Sequence, residues 1–312
     1  MKIITLNQVA PWTDDFFFLK RKGEEYLVIC NPSDSICLAP TYLRSHRSLE
    51  DHIQLIRERC IKKAIVVAED IDFLRQCLEL EELDVHPSFN ASDFDFSPLY
   101  DMPNLRKLAC DTVYGPNEDR VSCIDYSKFK SLEALIVGGR TGHNNVSAIK
   151  SLRYLAFEGV GSALKTLVGA FSGEFLNKLI INGASIGSLE GIQQAPKLSS
   201  LSLFYNRRLS DISDLTCLKE TLTELDIEGC GKIKDFSALG QLKRLEHLRL
   251  VGSNVLPDLS FLQNMPQLQS LVLYMNVADG DLSCCLSIPY VNIKNRRHYN
   301  FRNEDFAKRN HH

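Results

Sequence analysis

Few residues of this 312-residue chain stand where chemistry needs them. His247 adjoins Glu246, and Asp226, Glu228 and Cys230 lie upstream of it. A hydrolase built on such a histidine needs a nucleophile beside it and donors aimed at an oxyanion. Cys230 is the nearest thiol, and the repeat pattern below turns it into a bend, away from any substrate. No His, Cys or Asp spacing matches a known metal site. Gly138-Gly139 lacks the strand, glycine loop and helix that cradle a phosphate. The sequence therefore predicts no catalytic residue, no metal, no cofactor and no enzyme.

Composition narrows the partners. The formal charge of -3 at pH 7 leaves no basic excess for neutralising nucleic-acid phosphates. No run reaches the length of a membrane span, and the first residues, MKIITLNQVAPWTDD, are too polar for a secretory leader. The ten cysteines form no C-x-x-C pair and no evident framework, which suits a reducing compartment. These features predict a cytoplasmic protein with no small-molecule substrate, nucleic acid or membrane among its partners.

The elements that position every side chain are set by a repeat. The frame L-x-x-L-x-L occurs at Leu198, Leu201 and Leu203, and again from Leu222, Leu245 and Leu268, at steps of 24, 23 and 23 residues. That step is the period of a leucine-rich repeat. Weaker copies start at 80, 105, 132, 152, 176 and 288, so about ten repeats run from 80 to 293. The longest step holds Tyr114–Arg120, whose turn-forming composition predicts a protruding loop.

A second mark keeps time with the first. Asp-apolar-Ser recurs at 95, 125, 211, 235, 258 and 281. Its middle residue is expected in the core, and its serine hydroxyl is expected to accept an orphan backbone N–H where a short helix starts. Together with Asn206 and Asn276 three residues after the frame, these motifs resemble the short repeats of internalin-type bacterial leucine-rich repeat proteins. The resemblance covers residues 80 to 293. It implies a right-handed α/β solenoid, curved, with a parallel concave sheet and short convex helices or turns. It implies that the asparagine side chain holds the bend, with Cys230 and Ser253 replacing it once each. It also implies binding to another protein, with the partner left open.

On such a sheet the leucines point inward, and the residues between them point out. The fifth and seventh positions of the frame, with the eighth beside them, therefore make the candidate face. Phe204, Tyr205, Val251, Val272, Tyr274 and Met275 are expected to form an aromatic and apolar area, interleaved with Asp226, Glu228 and Arg249. Glu158 belongs to the same rows. Aromatic anchors amid charge are what a binding hot spot needs. The carboxylates Asp84, Asp111, Glu158, Asp226 and Glu228 point to a basic partner.

The ends of a solenoid must be covered. Residues 1–79 read as an α/β cap with a degenerate first turn. A hairpin joins Phe16–Leu19 to Tyr26–Cys30, and its phenylalanines are expected to bury rather than anchor a membrane. A helix follows Ser48 with Asp51 in a capping box. A strand covers Ala64–Val67 and a helix Asp70–Cys77. Residues 294–312 carry many basic residues. Tyr299, Phe301 and Phe306 mark them as a cap over the last repeat rather than a nucleic-acid tail, and His311 and His312 read as a tag remnant. The leading function is a non-enzymatic protein-binding module. The alternatives are an inhibitor or immunity protein against a toxin or nuclease, and a leaderless host-directed effector.

Overall fold

The computed structural model describes residues 15–30, 45–87, 94–110, 124–138 and 145–307. The N-terminal stretch to residue 14, the loop at Tyr114–Arg120, Asp111, Cys37, Cys123, Gly139, Lys308, Arg309, His311 and His312 lie outside them. The chain divides into two compact units, 1–144 and 145–312.

The first unit opens with strands β1 (Phe17–Arg21) and β2 (Glu24–Cys30), paired antiparallel through a turn at Lys22 and Gly23. Both turn residues have positive φ, which suits the right-handed twist of a tight hairpin. Phe17 and Leu19 pack on Tyr26, Val28 and Ile65, whereas Phe18 stays 42% exposed. Helix α1 (Leu49–Arg59) starts at the expected capping box. The Asp51 N–H donates to the Ser48 hydroxyl at 3.1 Å, and the Ser48 N–H donates to the Asp51 carboxylate at 2.9 Å. Then come β3 (Lys63–Ala68), β4 (Glu82–Pro87), the one-turn α2 (Ser97–Tyr100), β5 (Lys107–Cys110) and β6 (Ala134–Gly138). From β2 to β6 each strand pairs parallel with the next. The helix expected over Asp70–Cys77 is a 3-10 turn, Asp72–Gln76.

The second unit repeats one motif. Its strands are β7 (Tyr154–Gly161), β8 (Lys178–Ala184), β9 (Ser200–Phe204), β10 (Glu224–Glu228), β11 (His247–Val251), β12 (Val255–Leu256), β13 (Ser270–Leu273), β14 (Asn276–Val277) and β15 (Tyr290–Ile293). Strands β7, β8, β9, β10, β11, β13 and β15 pair in that order, all parallel. Strands β12 and β14 make a second, two-stranded parallel pair. Helix α3 (Asn303–Ala307) ends the described chain.

The frame leucines fix this register. Leu179, Leu201, Leu225, Leu248, Leu271 and Val291 stand opposite one another on successive strands, each buried. Ile181, Leu203, Ile227, Leu250, Leu273 and Ile293 form the next buried row. Each buried aliphatic side chain contributes about 1.5–3 kcal/mol. A slip of one residue on any strand would turn its whole row out to water. Ile288, which opens the last frame, is only half-buried.

The Asp-apolar-Ser motif does what its spacing predicts, by a different atom. Phe96, Tyr126, Ile212, Phe236, Leu259 and Leu282 are all buried. The acceptor, however, is the aspartate and not the serine. The Ser213, Ser237, Ser260 and Ser283 N–H groups donate to Asp211, Asp235, Asp258 and Asp281 at 2.7 to 2.9 Å. Asp95 and Asp125 hold Ser97 and Ser127 in the same way. A carboxylate two residues before the N–H closes an Asx-turn, and its charge meets the positive end of the helical turn that follows. The segments that follow are 3-10 turns in most repeats, as at Ser213–Leu218 and Ser237–Gln241.

Candidate protein-interaction face

Because strand side chains alternate, the third, fifth and seventh positions of the frame share one face of the sheet. In the second unit the fifth row runs Ala156, Ile180, Ser202, Asp226, Arg249, Val272 and Asn292 on adjacent strands. The seventh row brings Glu158, Asn182, Phe204, Glu228 and Val251 into register. Phe204, Val251 and Val272 are half-buried, and Tyr274 is exposed just past β13. The structure thus brings these predicted residues together. Glu158 sits two strands from Phe204 and accepts a hydrogen bond from Asn182 at 2.8 Å.

Met275 does not join them. It is fully buried, and its place on the face is corrected accordingly. Met275 has the parity of Leu271 and Leu273, so the alternation that exposes Val272 and Tyr274 carries on past the end of β13 and puts Met275 in the core. Tyr205, at the same position of its own repeat, behaves in the opposite way. Its φ of 52° is left-handed, and its side chain is 52% exposed. A bulky residue there is strained. The position is a glycine in the next repeat, Gly229, with φ 69°. The Tyr205 ring lies over Gly229, where an added Cβ would come within 2.5 Å of it.

This turn also decides which residue holds the bend. Asn206 follows left-handed Tyr205 and is fully buried. Its Nδ2 donates to the Ile181 carbonyl at 2.8 Å, and its Oδ1 accepts the Ala184 N–H at 2.9 Å. Cys230 follows Gly229, and its buried thiol donates to the Leu203 carbonyl at 3.6 Å, so it does point into the bend. In the next repeat Gly252 is not left-handed, and the role passes one residue on. Ser253 is exposed, and Asn254 is buried with Nδ2 donating to the Cys230 and Ile233 carbonyls. The expected roles of Ser253 and Asn276 are corrected: the Asn276 Oδ1 is buried without a hydrogen-bond partner.

The charges on the face are largely paired. Arg249 bridges Asp226 and Glu228, with nitrogen–oxygen distances of 2.7 Å to each. The Tyr205 phenol donates to Glu228 from the other side. That hydrogen bond, with Arg249, holds the Glu228 carboxyl below its ordinary pKa. Asp226 moves the other way. Its burial outweighs the attraction of Arg249, and the neighbouring Glu228 charge adds to the rise. In the first unit Asp84 is engaged by Arg21 and by His86, 2.9 Å away. Glu82 takes bonds from Lys63, Lys107 and the Tyr26 phenol. Burial alone would raise its pKa, but these donors bring it to about 2.

The third position was overlooked in the sequence, although the same alternation selects it. It aligns Lys178, Ser200, Glu224, His247, Ser270 and Tyr290. His247, noted only as a candidate base, is an exposed member of this row. Rows three and five together line an open depression of about 230 Å³ across β9 to β13. Among the described residues no group of His, Cys, Asp and Glu forms a metal cluster, and no helix is long and apolar enough to cross a membrane.

No protein-family model and no curated protein matches the sequence. Solved structures do resemble the fold. An internalin of Listeria monocytogenes is 18% identical, with a TM-score of 0.49 over 89% of this chain and 87% of that one. Internalin C2 of the same organism is 18% identical, with a TM-score of 0.43 over 59% of this chain and 76% of that one. A leucine-rich repeat protein of Leptospira interrogans is 17% identical, with a TM-score of 0.40 over 75% and 72%. The chain's own leucine register, buried bend residues and aspartate-closed turns build a leucine-rich repeat fold.

Proposed function

We propose that the chain is a non-enzymatic module that binds another protein through the outward rows of β9, β10, β11 and β13. The observation that carries this reading is Tyr205. It holds an unfavourable backbone conformation while serving no core, and it stands beside Phe204, Val251, Val272 and Tyr274. The Glu228 hydrogen bond and the packing over Gly229 hold that strain, and strained, exposed aromatic side chains collect at binding sites. The sheet presents these residues on a rigid scaffold, which lowers the ordering cost of association.

We place the chain in a reducing, cytoplasmic setting on the sequence pattern of its cysteines, which form no C-x-x-C pair. Inhibition of a toxin or nuclease, or delivery to a host, are special cases of the same reading, separated by the identity of the partner. The test is affinity capture from the native organism with the full chain and with Phe204→Ala and Tyr274→Ala. Loss of one captured protein in both variants, with unfolding midpoints unchanged, supports the face. Equal retention by both variants discards it.

A further inference from the structure

The 3-10 turn of the last repeat, Ser283–Ser287, carries two adjacent thiols. In the three turns before it, the second residue after Asp-apolar-Ser is a buried leucine, Leu215, Leu239 and Leu262. Here that place belongs to Cys285, fully buried, with half-buried Cys284 before it. A leucine would bury more apolar surface, so packing alone does not account for the thiol. The Cys285 thiol donates to the Cys284 sulfur, and the Cys284 thiol donates to the Leu259 carbonyl of the preceding repeat at 3.7 Å. The bond from Cys285 holds the Cys284 thiol below its ordinary pKa, against burial and the charges of Asp281 and Asp279. Cys284 can also be reached. It lines a hollow of about 650 Å³ between the turns Ser260–Asn264 and Ser283–Ser287. Asp258, Asp279 and Asp281 line the same hollow, and their charges repel anionic reagents but not a small neutral oxidant.

We propose that Cys284 and Cys285 are a peroxide-oxidised pair, with Cys284 the attacking thiol and Cys285 the resolving one. The site lies outside the outward rows of the sheet and is independent of the protein-binding reading. The Cys284 thiolate attacks one peroxide oxygen. The O–O bond breaks, hydroxide leaves and takes up the thiol proton as water, and Cys284 becomes a sulfenic acid. The Cys285 sulfur then attacks the Cys284 sulfur. The S–S bond forms, the S–O bond breaks, and a second water carries off the Cys285 proton. Two thiols are oxidised to one disulfide while one peroxide is reduced to two waters. Neighbouring Cα atoms lie about 3.8 Å apart, below the usual disulfide span of about 4.4–6.8 Å, so cellular thiols reopen the ring. A transient bond of this kind suits a sensing role in a reducing compartment. Closing the ring removes the proton that binds the Leu259 carbonyl, and so loosens the last turn from the one before it.

The test exposes the full chain to hydrogen peroxide at neutral pH and blocks the remaining thiols with N-ethylmaleimide in denaturant. Peptide mass spectrometry then reads each cysteine, with the exposed Cys60 and Cys217 as internal references. A Cys284–Cys285 disulfide that forms roughly tenfold or more faster than either reference oxidises, and that glutathione reverses, supports the pair. In folded Cys285→Ala the same treatment should leave a Cys284 sulfenic acid that dimedone traps. Reference thiols that react as fast, bridges to any other cysteine, a lasting sulfenic acid at Cys284 in the unsubstituted chain, an irreversible product or no reaction overturns it. So does an unreactive Cys284 in folded Cys285→Ala. If that variant fails to fold, the unsubstituted chain decides alone.

Discussion

The Tyr205 phenol donates to the Glu228 carboxylate on the neighbouring strand, while its ring lies over Gly229. Tyrosine and glycine therefore depend on each other. In Gly229→Ala the new Cβ meets the ring and also sits at φ 69°. We expect a loss of about 2–3 kcal/mol, of which about 1 kcal/mol remains when Tyr205 is truncated to alanine. A urea-denaturation double-mutant cycle measures that coupling, and strict additivity would show that the ring is not packed on Gly229.

Asn206 and Cys230 fill the same place in successive repeats with unequal strength. Asn206→Ala leaves the Ile181 carbonyl and the Ala184 N–H unpaired in the core, and should cost about 2–4 kcal/mol. Cys230→Ala loses one weak thiol contact and should cost about 1 kcal/mol. Chemical unfolding midpoints rank the two, and a larger loss for the cysteine would contradict the asparagine's role in the bend.

His52 sets a pH dependence. It is buried, its Nδ1 donates to the Ser48 carbonyl at 2.7 Å, and its Nε2 has no partner among the described residues. Burial lowers its pKa from 6.5, against the pull of Ser48 and the Asp51 charge, with Arg47 adding to the fall. The unfolded chain then binds a proton that the folded chain refuses. Stability is full above pH 6.5 and declines as pH falls from there through the folded pKa. Unfolding midpoints between pH 7.5 and 5.5 should drop in the natural chain and stay flat in His52→Gln.

Tyr299 tests the proposal that residues 294–312 cap the last repeat. Its buried hydroxyl accepts the Val277 N–H at 2.9 Å and donates to the Met275 carbonyl at 3.3 Å. Tyr299→Phe keeps the ring but leaves both backbone groups unpaired, and should cost about 1–3 kcal/mol. Thermal unfolding measures it. An unchanged midpoint would mean that the segment contributes nothing to the repeats beneath it.

The rows of the face were readable because a strand has only two sides. Once Leu201, Leu225, Leu248 and Leu271 are assigned to the core, the parity of Phe204, Asp226, Glu228, Arg249 and Val272 follows. The same parity selects Ser200, Glu224 and His247, which the fifth- and seventh-position reading passed over. The same parity also puts Met275 in the core with Leu271 and Leu273, against its assignment to the face, and past the strand ends the reading failed for Ser253 and for Asn276.

The sequence by itself determined the repeat, its register and the buried rows, because a period of 23 or 24 residues and alternating leucines leave one arrangement that hides them all. It could not determine what happens at the strand ends. There a single φ, left-handed at Tyr205 and Gly229 but not at Gly252, decides which residue enters the core and which one points to a partner. Nor could it reveal that Arg249 spends its charge on Asp226 and Glu228. That choice depends on side chains from neighbouring repeats meeting in space, and only the tertiary structure brings them within 2.7 Å.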